Sequence, residues 1–123
     1  MTDAQTLIAK AMTEAELFEN VRAAARLYGW LLYHTRDSRG STAGFPDLLL
    51  ARTGHILAAE LKREQRKTTP AQDHWLRVLE SVGSPVQVFV WRPSDWLEGR
   101  IQAVLQQSWK REMPSSLANR RAQ

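Results

Sequence analysis

The chain has 123 residues, 43% of them apolar and 24% charged, with no cysteine, so it is sized for one domain and excludes disorder, collagen, coiled coil, disulfides and thiolate metal sites. No apolar run approaches the ~20 residues of a membrane-spanning helix, and MTDAQTLIAKAMTEAE lacks the basic start and apolar block of a signal peptide, which together predict a cytoplasmic protein. The net charge of +4 is uneven: residues 1–99 hold 12 basic and 12 acidic side chains, whereas Arg100, Lys110, Arg111, Arg120 and Arg121 face only Glu112 in the remainder. A basic tail is a weak nucleic-acid signal, and a solvated end is the bland alternative.

Residues 1–12 show no clear cap and read as a flexible N-terminus. Thr13 followed by Glu16 makes a capping box, and Leu17, Val21, Ala24, Ala25 and Tyr28 recur at helical spacing before Gly29, predicting a helix over 13–28. Trp30 to Thr35 reads as a strand, and Arg36 to Gly44 as a polar loop. The apolar runs 47–52 and 56–62 flank Thr53-Gly54 and predict a β-hairpin with a two-residue turn. After the charged stretch Arg63–Lys67, Thr69-Pro70 opens a helix that Gly83 ends. Val86–Trp91 alternates as a strand, and Pro93 opens a last helix running through Leu105. The order αβββαβα predicts an α/β (α+β) domain over 13–107, with a central mixed sheet flanked by helices, followed by a basic tail over 108–123.

Asp47, Glu60 and Lys62 interrupt strands that otherwise read as buried on both faces. With Thr53-Gly54 as the turn, Asp47 lies directly opposite Glu60, and Lys62 shares a face with Glu60. Two close carboxylates repel unless something positive sits between them. A divalent cation with hard oxygen ligands, Mg²⁺ or Mn²⁺, answers that need. Lys62 beside it is placed to orient a water or to stabilise charge on a phosphate, the requirements of phosphodiester hydrolysis. The alternative on these residues alone is an Asp/Glu/Lys network that only holds the hairpin. His34, His55 and His74 show no metal spacing; His55 and His74 read as surface residues. Trp91, Trp96 and Trp109 read as core or dimer contacts.

Pro46-Asp47, twelve residues, then Glu60-Leu61-Lys62 is similar to the PD-(D/E)xK nuclease signature. With Gly44–Leu50, Ala59–Lys62, Thr69–Gln72, Trp75-Leu76, Gly83 and Val88–Pro93 in order, residues 13–98 resemble the VRR-NUC domain family. These are small nucleases, often encoded by phages or prophages, related to Holliday junction resolvases with a restriction-endonuclease-like core. The resemblance implies that Asp47, Glu60 and the Leu61 carbonyl hold the metal, that Lys62 is the catalytic lysine, and that Gln72 is an accessory glutamine. It also implies a glutamate on the first helix; Glu16 is the choice, with Glu14 its rival, and plain capping accounts equally for Glu16.

Beside that site, His34, Arg36, Arg39, Ser41 and Thr42 on one side and Arg63, Arg66 and Lys67 on the other are candidate DNA-backbone contacts. The resulting expectation is a Mg²⁺-dependent, structure-selective endonuclease of branched DNA such as Holliday junctions, acting as a homodimer in a bacterial or phage-infected cell. The alternatives are a non-catalytic DNA-binding module, or a nuclease of RNA, flaps or single strands.

Overall fold

Three threonines start three helices in the same way. Thr2, Thr13 and Thr69 each accept a hydrogen bond from the backbone N–H three residues on, and the Gln5, Glu16 and Gln72 side-chain oxygens accept the capping residue's own N–H in return. The helices they open are α1 (Asp3–Ala11), α2 (Glu14–Leu27) and α3 (Pro70–Ser81). The computed structural model describes residues 1–35 and 42–107. Its remaining elements are β1 (Leu31–His34), β2 (Leu48–Arg52), β3 (His55–Leu61), β4 (Val86–Trp91), α4 (Pro93–Leu97) and α5 (Arg100–Leu105). The predicted basic tail, with Trp109, lies outside the described residues.

The four strands form one mixed sheet in the order β1-β2-β3-β4. The first two pairings are antiparallel, and β3–β4 is parallel, with α3 as the crossover. Arg52 pairs with His55 across Thr53-Gly54, so the predicted two-residue turn and its register hold. Gly54, the second central residue, takes φ +78°, a left-handed conformation that glycine adopts without steric cost. Leu48, Leu50, Leu57, Ala59 and Leu61 are buried against Leu17, Val21 and Ala25 of α2 and Ile101 and Leu105 of α5. Along β3 alternate residues point to opposite faces, so Ala58, Glu60 and Lys62 share the other face, where α3 packs.

Three expectations need correction. The first residues form a capped helix rather than a loose end: Ala9 is buried, and the Arg63 guanidinium donates to the Lys10 and Ala11 carbonyls, satisfying acceptors that a helix C-terminus leaves open. The last predicted helix is two, because Gly99 at φ +78° breaks it between Leu97 and Arg100. His55 is also not a surface residue. It is only 2% exposed, with its Nε2 2.6 Å from Gln87 Oε1 and its ring edge-on to Trp30. His74 is exposed as expected.

The far end of the sheet is closed by Trp30, whose Nε1 donates to the Leu105 carbonyl, while Arg52 lies over the indole and donates to the carbonyls of Tyr28, Leu105 and Gln107. At the near end the loop before β2 touches α3 directly. Gly44 has φ +88°, and a Cβ there would lie 2.4 Å from the Ala71 carbonyl carbon and 2.7 Å from the Gln72 nitrogen. Gly29, at φ +81°, has nothing within 4 Å of the same position. The two glycines therefore separate backbone strain from contact. Gly29→Ala is predicted to cost about 1 kcal/mol, and Gly44→Ala at least about 2 kcal/mol, in urea unfolding; equal losses would show that the loop yields freely from α3.

Candidate active site

The site is assembled where the β2–β3 ladder ends. The last register pair in that direction is Leu48 with Ala59, so the next residues, Asp47 and Glu60, stand opposite each other as the hairpin register requires. Beyond Ala59 the antiparallel ladder offers the Leu61 N–H no backbone carbonyl, and Asp47 Oδ2 accepts it instead at 2.8 Å. The chain then continues along β4, with the Lys62 N–H donating to the Trp91 carbonyl at 3.0 Å. This holds Lys62 in strand-like alternation with Glu60, and Lys62 Nζ comes to 4.0 Å from Glu60 Oε1.

Glu60 is 2% exposed. Its Oε1 accepts a hydrogen bond from Gln72 Nε2 at 3.0 Å, and the same glutamine's Oε1 accepts the Thr69 N–H at 2.8 Å. Its Oε2 is buried and has no hydrogen-bond partner among the described residues. Burial pushes the Glu60 carboxyl up to about 8, helped by the neighbouring Asp47 carboxylate; Lys62 pulls the other way. A carboxylate oxygen left without a donor next to a second carboxylate is a site short of positive charge.

Asp47 and Leu61 also line a pocket of about 260 Å³ with Glu14, Ala15, Phe18 and His34. His34 lies there stacked on Phe18, ring centroids 4.0 Å apart. Of the two first-helix glutamates, Glu14 is therefore the one facing Asp47. The Glu16 carboxylate accepts the Thr13 N–H and hydroxyl of the capping box, at 3.3 and 3.0 Å, and Glu16 does not line that pocket. Both are in the first helical turn, and only the packing of α2 on the sheet tells them apart. Among the described residues no group of three or more His, Cys, Asp or Glu is close enough to share a metal. Of the oxygen donors expected from the sequence (the Asp47 and Glu60 carboxylates and the Leu61 carbonyl), the hairpin register places Asp47 and Glu60 opposite each other, and all three are hard ligands.

The flanking candidates separate. Arg63 is turned toward the end of α1 and, with Lys10, Glu64, Gln65 and Arg66, lines a pocket of about 220 Å³. Arg66 and Lys67 are exposed. Arg100 pairs with Asp95 at 2.8 Å and Glu98 at 2.9 Å and is not a free charge. Thr42 lies on another pocket, with Tyr33, Thr35, Phe45 and Trp75, which the sequence reading did not single out. Arg36, Arg39 and Ser41 lie outside the described residues. Trp91 is core, and Trp96 packs against it.

A family model described as the VRR-NUC domain matches residues 5–90. Among solved structures, a chain titled "VRR_NUC domain" superposes with a TM-score of 0.59 at 22% identity, covering 80% of this chain and 100% of that one, a likeness of fold. No curated protein matches. No helix among the described residues is long and apolar enough to cross a membrane.

The Glu60 carboxyl fixes a sign for stability. An unfolded glutamate releases its proton near 4.5, and the folded one near 8. The metal-free fold therefore has its full margin below about 4.5 and loses it progressively as the pH rises to about 8. Melting of the chain in chelator is predicted to weaken across that window by a few kcal/mol in order of magnitude, and Glu60→Gln to flatten the slope. A wild-type slope of the opposite sign would contradict this account.

Proposed function

The chain belongs to the VRR-NUC domain family, a nuclease-type domain, and from that premise we propose that it is a metal-dependent endonuclease that hydrolyses phosphodiester bonds in branched DNA such as Holliday junctions. The observation that carries the reading is the buried Glu60 Oε2, without a donor, beside Asp47. Asp47, Glu60 and the Leu61 carbonyl are the groups that would hold Mg²⁺ or Mn²⁺. Bound there, the ion supplies Lewis acidity to the phosphate and lowers the pKa of water.

Each side chain of the cluster has a task that does not depend on the others' chemistry. Gln72 holds Glu60 from the α3 side and fixes which oxygen faces Asp47. Asp47 is oriented by the Leu61 N–H. Lys62 is near enough to Glu60 to stay beside the cluster, and its three N–H donors can orient a water or meet charge developing on a phosphate oxygen. Glu14 and His34 border the same pocket and bound the space on the α2 side. Arg66 and Lys67 are exposed just after Lys62, where they can meet backbone phosphates as point charges.

The shape of the substrate follows from what the fold has room for. Nothing among the described elements is an added sequence-reading module, and backbone contacts read shape rather than base order. A four-way junction has two equivalent strands to cut, which suits a homodimer.

Asp47→Ala, Lys62→Ala and Glu60→Gln are predicted to lower cleavage at least about 100-fold while keeping the wild-type circular dichroism spectrum, and chelator to abolish it. The assay is purified chain with Mg²⁺ or Mn²⁺ against matched four-way junctions, flaps, single strands and plain duplex, in DNA and RNA, at stated salt. Undiminished cleavage in chelator, or by Asp47→Ala, would refute the mechanism. Equal DNA binding with and without metal, and no cutting, would mark a binding module.

A further inference from the structure

The face of the sheet that carries the two carboxylates holds a second depression, of about 250 Å³, lined by Tyr33, Thr35, Thr42, Phe45 and Trp75. Strand register gives its position. The Thr35 N–H donates to the Asp47 carbonyl at 2.8 Å, continuing the β1–β2 ladder, so Thr35, Asp47 and Glu60 stand in one cross-strand row. Tyr33, Leu49 and Ala58 form the next row on that face. Neighbouring strands lie about 4.8 Å apart, so the depression begins one strand spacing from Asp47.

Its chemistry differs from that of the site. Among the described residues the lining contains three aromatic rings and two threonines and no charged side chain, so it is mainly a surface of ring faces. Phe45 meets Trp75 edge-on, with ring centroids 5.0 Å apart at 81°, which fixes the indole from one side. Tyr33 is 64% exposed, leaving its ring open to a partner. The Thr35 hydroxyl is already used on the Pro46 carbonyl at 3.1 Å, which ties the pocket floor to the segment leading into Asp47. Flat apolar faces beside a phosphate-cleaving centre match one part of a nucleic acid, the base.

Resting on the nuclease reading, we infer that this pocket receives the base of a nucleotide next to the scissile phosphate and stacks it on Tyr33. Stacking of one base on an aromatic side chain changes affinity by about tenfold. Holding that base would anchor one strand at the site whatever its sequence, since every base has a face to stack. Tyr33 acts here as a substrate-binding residue and takes no part in moving protons.

The test uses the full chain with Mg²⁺ or Mn²⁺ and an oligonucleotide whose cut position has been mapped with wild-type protein. Bases on either side of the cut are replaced one at a time by abasic residues. One flanking abasic position is expected to slow the wild type about tenfold, in KM rather than kcat. Tyr33→Ala should be slowed equally on the intact substrate and be indifferent to that abasic position, while Tyr33→Phe keeps the wild-type pattern. Wild type and Tyr33→Ala responding alike at every position overturns the inference and leaves the nuclease reading intact. So does an effect of Tyr33→Ala that tracks a change in sedimentation, which would make the ring a contact between copies of the chain. Wild-type protein that binds DNA without cutting overturns the nuclease reading alone, and a 2-aminopurine walk then decides the pocket: quenching confined to one position and lost in Tyr33→Ala supports it, and uniform quenching overturns it. A chain that neither binds nor cuts nucleic acid overturns both.

Discussion

Two acidic side chains meet across a pair of strands, Glu60 buried and Asp47 half-buried, and the surrounding protein supplies almost, but not quite, enough positive charge to keep both ionised. That shortfall governs the site. The Leu61 N–H serves Asp47, and Gln72 and Lys62 serve one oxygen of Glu60, but the other oxygen is left without a donor. A buried carboxylate in that state either keeps its proton or takes a cation. A network built only to hold a hairpin would gain by satisfying every lone pair, or by dispensing with charge altogether. The incomplete arrangement supports the proposed cation site over a purely structural network.

The rest of the fold serves to keep the pair in register. The two-residue turn at Thr53-Gly54 sets which residues of β2 and β3 oppose each other, and a slip of one position would turn Glu60 into the apolar layer under α2. The parallel partner β4 continues past the end of that ladder and holds Lys62 in line. Gly44 lets the segment before Asp47 lie against the backbone of Ala71 and Gln72, so the two sources of site residues, hairpin and helix, are locked to each other rather than merely adjacent.

Features fixed by local chemistry were legible in the sequence. The turn residues and the apolar runs determine the hairpin register, and with it the opposition of Asp47 and Glu60; Val86–Trp91 is bounded by Pro85 and Pro93 and matches the strand observed. What escaped was set by tertiary contact. His55 follows a turn, normally an exposed place, but Trp30 and Gln87 enclose it. Glu14 and Glu16 are equivalent along the chain, and only the seating of α2 decides that one faces Asp47 while the other turns back to Thr13. The apolar period of Trp96, Leu97, Ile101, Val104 and Leu105 runs straight across Gly99 and conceals the break there. The Thr2–Gln5 capping box, by contrast, is local and stands in the sequence itself.

Gln72 binds two kinds of duty into one side chain: its carbonyl oxygen closes the first turn of α3, while its amide nitrogen reaches Glu60. Substitution of this residue is therefore constrained on both counts. Glutamate would preserve the helix start but set a third acid against the pair; asparagine is one methylene too short to span both; alanine would surrender the two roles at once. The start of α3 and the setting of Glu60 thus hang on a single side chain, and neither can be altered there without disturbing the other.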